Sequence, residues 1–143
     1  MKVITATLGK KFTTEIHMQE HDLTADEPEK AGGDNVGPNP YDLLLASLAA
    51  CTAMTIRWYA DRRKLDLTGC EVTLEYNRMH IKDCKACEEG DPRSHIEHIK
   101  RTVEISGDFS DEEKQRLMSI PGKCPVSKTL KTGVVIEDEV LYA

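Results

Sequence analysis

Two thiols stand in settings suited to chemistry. Cys51 lies inside the apolar stretch NPYDLLLASLAACTAMTIRWYADRRK, residues 39–64, and Cys124 opens CPVSKTLK, residues 124–131. A thiol among apolar neighbours and a second thiol able to reach it form a minimal peroxide-reducing device. One sulfur takes the oxygen as a sulfenic acid, and the other resolves it to a disulfide. Apolar burial raises a thiol's pKa, and Cys51 sits about 16 Å along its helix, beyond the reach of the positive helix end. A thiolate there calls for a cation from elsewhere. Arg57 points roughly 240° around the axis from Cys51, which leaves Lys10 or Lys11 as the geometric candidates. Cys124 opens a helix, where free amides lower a thiol's pKa and suit it to close the disulfide. The blander readings are that Cys51 is a small core residue and that Cys124 is only a cap.

Cys84-Lys85-Ala86-Cys87 is a rival centre. A single CxxC is weak evidence, because zinc normally takes four ligands and redox CxxC pairs normally start a helix. His80, His95 and His98 flank it, so a two-strand zinc knuckle is sterically conceivable. Charged Lys82, Asp83, Lys85, Glu88 and Glu89 put the pair on an exposed loop, where a metal role, an accessory redox role and no essential role all stay open. Cys70 starts a strand without polar company and reads as structural. Five cysteines, an odd number without a secretion signal, suggest reduced thiols rather than a disulfide scaffold.

The elements that must position these thiols follow from pattern and composition. A net charge of −6 argues against nucleic acid as a partner. The apolar run over residues 43–56 is too short to span a bilayer. The expectation is a soluble cytoplasmic protein without a membrane partner, folded as one domain over residues 1–143. Residues 2–8 and 11–18 read as strands joined by a Gly9-Lys10 turn, with Phe12, Thr14, Ile16 and Met18 on one face. A third short strand spans His21 to Ala25. The loop EPEKAGGDNVGPNP has neither spacing of a phosphate cradle. Asn39 is an N-cap, Pro40 the first helical residue and Asp42 the third. The helix over 40–64 would be about 36 Å long and apolar all round, so it calls for cover from an obligate dimer. Residues 71–82 and 95–106 read as two strands, with a bulge where the apolar phase shifts between Tyr76 and Met79. Ser110 and Glu113 form a capping box for a helix carrying Leu117, Met118 and Ile120. Val134, Ile136, Val140 and Tyr142 mark a final strand.

The segment GPNPYDLLLASLAACTAMTIRWYADRR, with KCPVSKTL some way on, resembles the OsmC/Ohr superfamily, named for osmotically inducible protein C and organic hydroperoxide resistance. ADEPEKAGG and GDFSDEEKQRLMSIPGKCPV extend the likeness over essentially the whole chain. The resemblance implies an α+β fold: a long buried central helix packed against antiparallel sheets in an intertwined homodimer. It implies a thiol peroxidase of the antioxidant stress response that reduces organic hydroperoxides with electrons from a lipoamide-like dithiol, using no cofactor and no metal. It makes Cys51 the peroxidatic and Cys124 the resolving cysteine, and sets Asp42 near a glutamate that helps hold the thiolate. Two departures stand out. The family's N-terminal arginine has no counterpart before Arg57, and Ser127 stands where the family often has histidine. Weaker peroxidase activity is therefore expected. The missing arginine also motivates an alternative, a non-enzymatic dimer that binds a small apolar molecule or zinc on the same scaffold.

Overall fold

Alternating β-branched and apolar residues set up the first sheet. Strands β1 (Thr5–Leu8), β2 (Thr14–Met18) and β3 (His21–Ala25) form an antiparallel meander, with Ile16 opposite Ala6 and Leu23. The first turn is longer than the two-residue turn expected. Gly9 donates to the Thr13 carbonyl at 2.8 Å, and Lys11 takes a left-handed φ of 52°. Phe12 is thereby left outside the ladder, which begins at Thr14. The computed structural model describes residues 1–142, in two compact units, Met1–Ser47 and Leu48–Ala143. Its architecture is α+β, with two antiparallel sheets and three helices.

In the first unit the meander runs into a loop organised around one carboxylate. Asp26, 2% exposed, accepts the N–H groups of Glu27 (2.8 Å), Asp34 (3.1 Å) and Val36 (3.3 Å) and the Thr13 hydroxyl. Burial alone would raise its pKa, but the three amides and the hydroxyl outweigh it and hold the carboxyl below its ordinary value. Two glycines allow the close backbone approach. A Cβ at Gly33 would lie 1.9 Å from the Glu27 carbonyl oxygen, and one at Gly37 would lie 2.1 Å from that of Thr24. The loop delivers Asn39, whose side chain accepts the Asp42 N–H at 2.9 Å while Asp42 accepts the Asn39 N–H at 3.1 Å. This reciprocal cap fixes the start of α1 (Pro40–Arg63).

The long helix ends where Lys64 turns left-handed, at φ 55°, and Leu65 donates back to the Ala60 carbonyl. It is not buried all round within one chain. Leu48, Thr52, Ile56 and Ala60, spaced four apart, form the buried stripe, whereas Met54 and Trp58 are 69% and 73% exposed. Composition without amphipathic patterning concealed which side this chain covers itself. By length and hydropathy α1 also meets the requirement for crossing a membrane, contrary to the shorter run expected, but a core helix passes the same test. Within this chain only its Leu48, Thr52, Ile56 and Ala60 stripe is buried.

In the second unit, β4 (Asp66–His80) and β5 (His95–Asp108) pair as one long antiparallel ribbon. The register runs unbroken from Gly69↔Ser106 to His80↔His95, and its irregularity falls at Leu67/Gly69 rather than between Tyr76 and Met79. Asn77 and Arg78 are both exposed, so the apolar phase shifts across this pair while the strand pairing continues unbroken. The kink lies instead at the base, where Leu67 enters the core. There Ile56, Ala60, Leu67, Leu117 and Ile120 pack together, each fully buried Ile or Leu contributing about 2–3 kcal/mol. The Ser110–Glu113 capping box, with both bonds formed, starts α2 (Asp111–Leu117). Pro121–Lys123 makes a single tight turn, and Cys124 then caps α3 (Pro125–Thr132). The final strand expected from Val134, Ile136, Val140 and Tyr142 is not formed: residues 134–142 are exposed and without regular structure. Alternation provides a face, but among the described residues no strand lies alongside to take the ladder bonds.

Candidate active site

The buried stripe of α1 fixes the depth of Cys51. Thr52 points fully into the interior, and Cys51, one residue earlier, stays half-buried. Cys124 is fully buried at the N-cap of α3, where Pro125 pre-sets the first helical φ. The two cysteines, 73 positions apart, approach closely enough for each to shift the other's proton affinity, and both are free thiols.

Their surroundings differ in sign. Burial pushes the Cys51 thiol up, and the adjacent Cys124 sulfur adds to this against the smaller help of the Val126 N–H and the Thr55 hydroxyl. Burial works against charge on Cys124 as well, but there it is outweighed. The Cys51 thiol, the Ser127 N–H, the Thr52 hydroxyl and the Val126 N–H favour its thiolate and bring the Cys124 pKa down. These are the free amides of the first turn of α3, although no oxygen-type capping bond forms. The pair titrates as a unit, with Cys124 favoured over Cys51 for ionisation.

The cation at this site comes from β5. Arg101 Nη1 donates to Thr52 Oγ1 at 2.9 Å, and Thr52 is fully buried. The Thr52 hydroxyl has one proton, which it gives to the Leu48 carbonyl at 2.7 Å or, after rotation, to the Cys124 sulfur. Arg101 makes no ion pair among the described residues, so its charge is not cancelled by a carboxylate. Sequence reasoning passed over Arg101. The signal was its phase: Ile99, Arg101, Val103 and Ile105 are alternate residues of β5, and the one arginine stands in register with an inward-facing apolar row.

The other candidates have partners of their own. Lys11 pairs with Asp34 within the first unit, and Asp42 takes part in the helix cap described above. Arg57 bonds the Leu67 carbonyl and Asp61 and acts on Cys70, whose thiol burial nonetheless pushes up. Cys70 packs against the core, as a structural residue does. Cys84 and Cys87 are joined as a disulfide. His80 and His95 meet edge to face across the ribbon, and among the described residues no three His, Cys, Asp or Glu side chains are grouped to hold a metal.

A cavity of about 600 Å³ is lined by Arg101 on one side. Val103, Ile105, Phe109, Leu117 and Met118 give it an apolar wall, and Arg101 is common to the cavity and to the Thr52 bond. The arrangement thus provides two coupled thiols, a guanidinium one hydroxyl from Cys124, and a recess that shares Arg101 with them.

No curated protein matches the chain. Among solved structures, it is similar to an OsmC-like protein from Mycoplasma pneumoniae (22% identity, covering 92% of this chain and 87% of that one, TM-score 0.70). It is likewise similar to an organic hydroperoxide resistance protein OsmC from Legionella pneumophila, described as a predicted redox protein and regulator of sulfide bond formation (22%, 92% and 89%, TM-score 0.64). An organic hydroperoxide resistance protein from Elizabethkingia anophelis is similar too (21%, 92% and 88%, TM-score 0.64). At these identities the likeness speaks for the fold. The family model of OsmC-like proteins matches residues 32–139, which contain both thiols, and the chain belongs to the OsmC-like protein family.

Proposed function

We propose that this protein reduces organic hydroperoxides, with Cys51 as nucleophile, Cys124 as proton acceptor and then resolving thiol, and a lipoamide-like dithiol as reductant. The observation that carries the reading is the meeting of Cys51 and Cys124 beside the Arg101–Thr52 bond. Relatives described as organic hydroperoxide resistance proteins support it. The Cys51 proton passes to the Cys124 thiolate, leaving Cys51 charged at the half-exposed sulfur. That sulfur attacks the distal peroxide oxygen, the O–O bond breaks, and the alkoxide leaves with the proton now on Cys124. The Cys124 thiolate then attacks the Cys51 sulfenic acid, forming the disulfide and expelling hydroxide, which takes a proton to become water. A dithiol reduces the disulfide and leaves as its own cyclic disulfide. The side chains of Val103, Ile105, Phe109, Leu117 and Met118 in the recess suit the hydrocarbon body of an organic hydroperoxide. A homodimer belongs to the same proposal, with a second copy covering the exposed side of α1.

Equimolar organic hydroperoxide is expected to convert Cys51 and Cys124 into one disulfide per chain, with one alcohol released. Peptide mass spectrometry under non-reducing conditions reads this directly. Oxidation that leaves both residues alkylatable would contradict the proposed roles.

A further inference from the structure

The β4–β5 ribbon carries a second sulfur pair at its far end. Cys84 and Cys87 are bonded across three positions, with Cα atoms 5.4 Å apart. Both are half-exposed, and Lys85 and Ala86 between them are exposed, so an attacking thiol has access along the bond. A structural staple explains this pair poorly. The stabilisation a disulfide gives grows with the loop it closes, and this loop is among the shortest possible. The ribbon is already pinned by continuous pairing up to His80↔His95. Beside the sulfurs lies a cavity of about 450 Å³, floored by Ile96 and Ile99. Of the charged side chains around it, Arg93 is paired with Asp91 and Glu97 accepts the Tyr76 hydroxyl at 2.6 Å, while Glu88 and Lys131 also line it. Next to the disulfide, Ile96 and Ile99 offer an apolar floor of a size for a short aliphatic chain.

We propose that Cys84–Cys87 is a second thiol–disulfide exchange centre, distinct from the Cys51–Cys124 pair, whose substrate is a small aliphatic dithiol seated on Ile96 and Ile99. One thiolate of the donor attacks a sulfur of the pair, breaking the Cys84–Cys87 bond and forming a mixed disulfide while the other cysteine leaves as thiolate. The donor's second thiol then attacks the mixed disulfide. The donor departs as a cyclic disulfide, and two electrons and two protons have moved to Cys84 and Cys87. A dithiol is favoured over a monothiol because this second attack is intramolecular. The inference does not depend on the peroxidase reading, since it concerns different sulfurs and needs no peroxide.

The test uses the folded wild-type protein. It is equilibrated with graded ratios of reduced to oxidised dihydrolipoamide, quenched in acid, alkylated, and read peptide by peptide. Cys84 and Cys87 are expected to pass together and reversibly between disulfide and doubly alkylated forms. Reduction by the dithiol is expected to be at least about tenfold faster than by mercaptoethanol at equal thiol concentration. A disulfide that persists in excess dithiol, thiols that stay reduced in excess oxidised lipoamide, or equal rates with mono- and dithiol would each overturn the proposal. In Cys84→Ser/Cys87→Ser protein, peroxide should still form the Cys51–Cys124 disulfide. Its loss there would overturn the independence of the two centres, whereas its absence from the wild type would touch only the peroxidase reading.

Discussion

Replacing Cys51 by serine is expected to lower dithiol-dependent consumption of an organic hydroperoxide by at least about a thousandfold, to the background of the remaining thiols. Serine is close to isosteric and retains a hydrogen-bonding group at this half-buried position, so the fold should survive. What it removes is the only sulfur of the pair with solvent access, since Cys124 is fully buried. Cys124→Ser should behave differently. One turnover should still occur, but slowly, because Cys51 loses its proton acceptor, and the sulfenic acid should then persist without a partner. Trapping with a sulfenic-acid reagent should therefore label Cys124→Ser and not Cys51→Ser. Equal turnover in wild type and Cys51→Ser, measured by peroxide loss in the steady state, would remove Cys51 from the nucleophile's role.

Arg101→Leu is expected to slow peroxide-driven formation of the Cys51–Cys124 disulfide by about a hundredfold, the scale on which loss of assisted proton transfer acts. The guanidinium acts through Thr52, whose hydroxyl is among the groups that bring the Cys124 thiol down. The sign follows from that direction. A lowered thiol pKa keeps Cys124 ionised to lower pH, so removing its support shifts the alkylation profile of the pair toward higher pH. Thr52→Val should shift it the same way, and Arg101→Lys should restore part of the rate, because a lysine keeps the charge without the planar fork. A purely structural role for Arg101 would change the unfolding midpoint while leaving the alkylation profile in place. That result would dismiss the relay.

The helix and its thiols were legible because each is written in contiguous residues. Asn39, Pro40 and Asp42 announce a helix start, the apolar run after them announces burial, and Cys124-Pro125 announces another helix start. The capping box of α2 was equally local. What escaped depends on register between distant segments. Arg101 meets Thr52 across 49 positions, and only the pairing of β4 with β5, together with the turn of α1, brings them together. The ribbon bulge was misplaced for a related reason: two consecutive exposed residues, Asn77 and Arg78, shift the apolar phase without interrupting the pairing of the strands. The state of Cys84 and Cys87 was left open because a CxxC motif alone does not separate ligand, redox and idle roles. The last strand was misread because an alternating segment needs a neighbour, and among the described residues no strand lies alongside it.

The exposed side of α1, with Trp58 and Met54 uncovered, ties folding to abundance if a second copy shields it. For such a pair, mass action makes resistance to unfolding a function of how much protein is present, and each tenfold increase in concentration adds about 1.4 kcal/mol per assembled dimer. The urea midpoint should climb steadily from nanomolar to micromolar samples. A midpoint indifferent to dilution, with the single tryptophan still wetted, would mean that the chain stands alone.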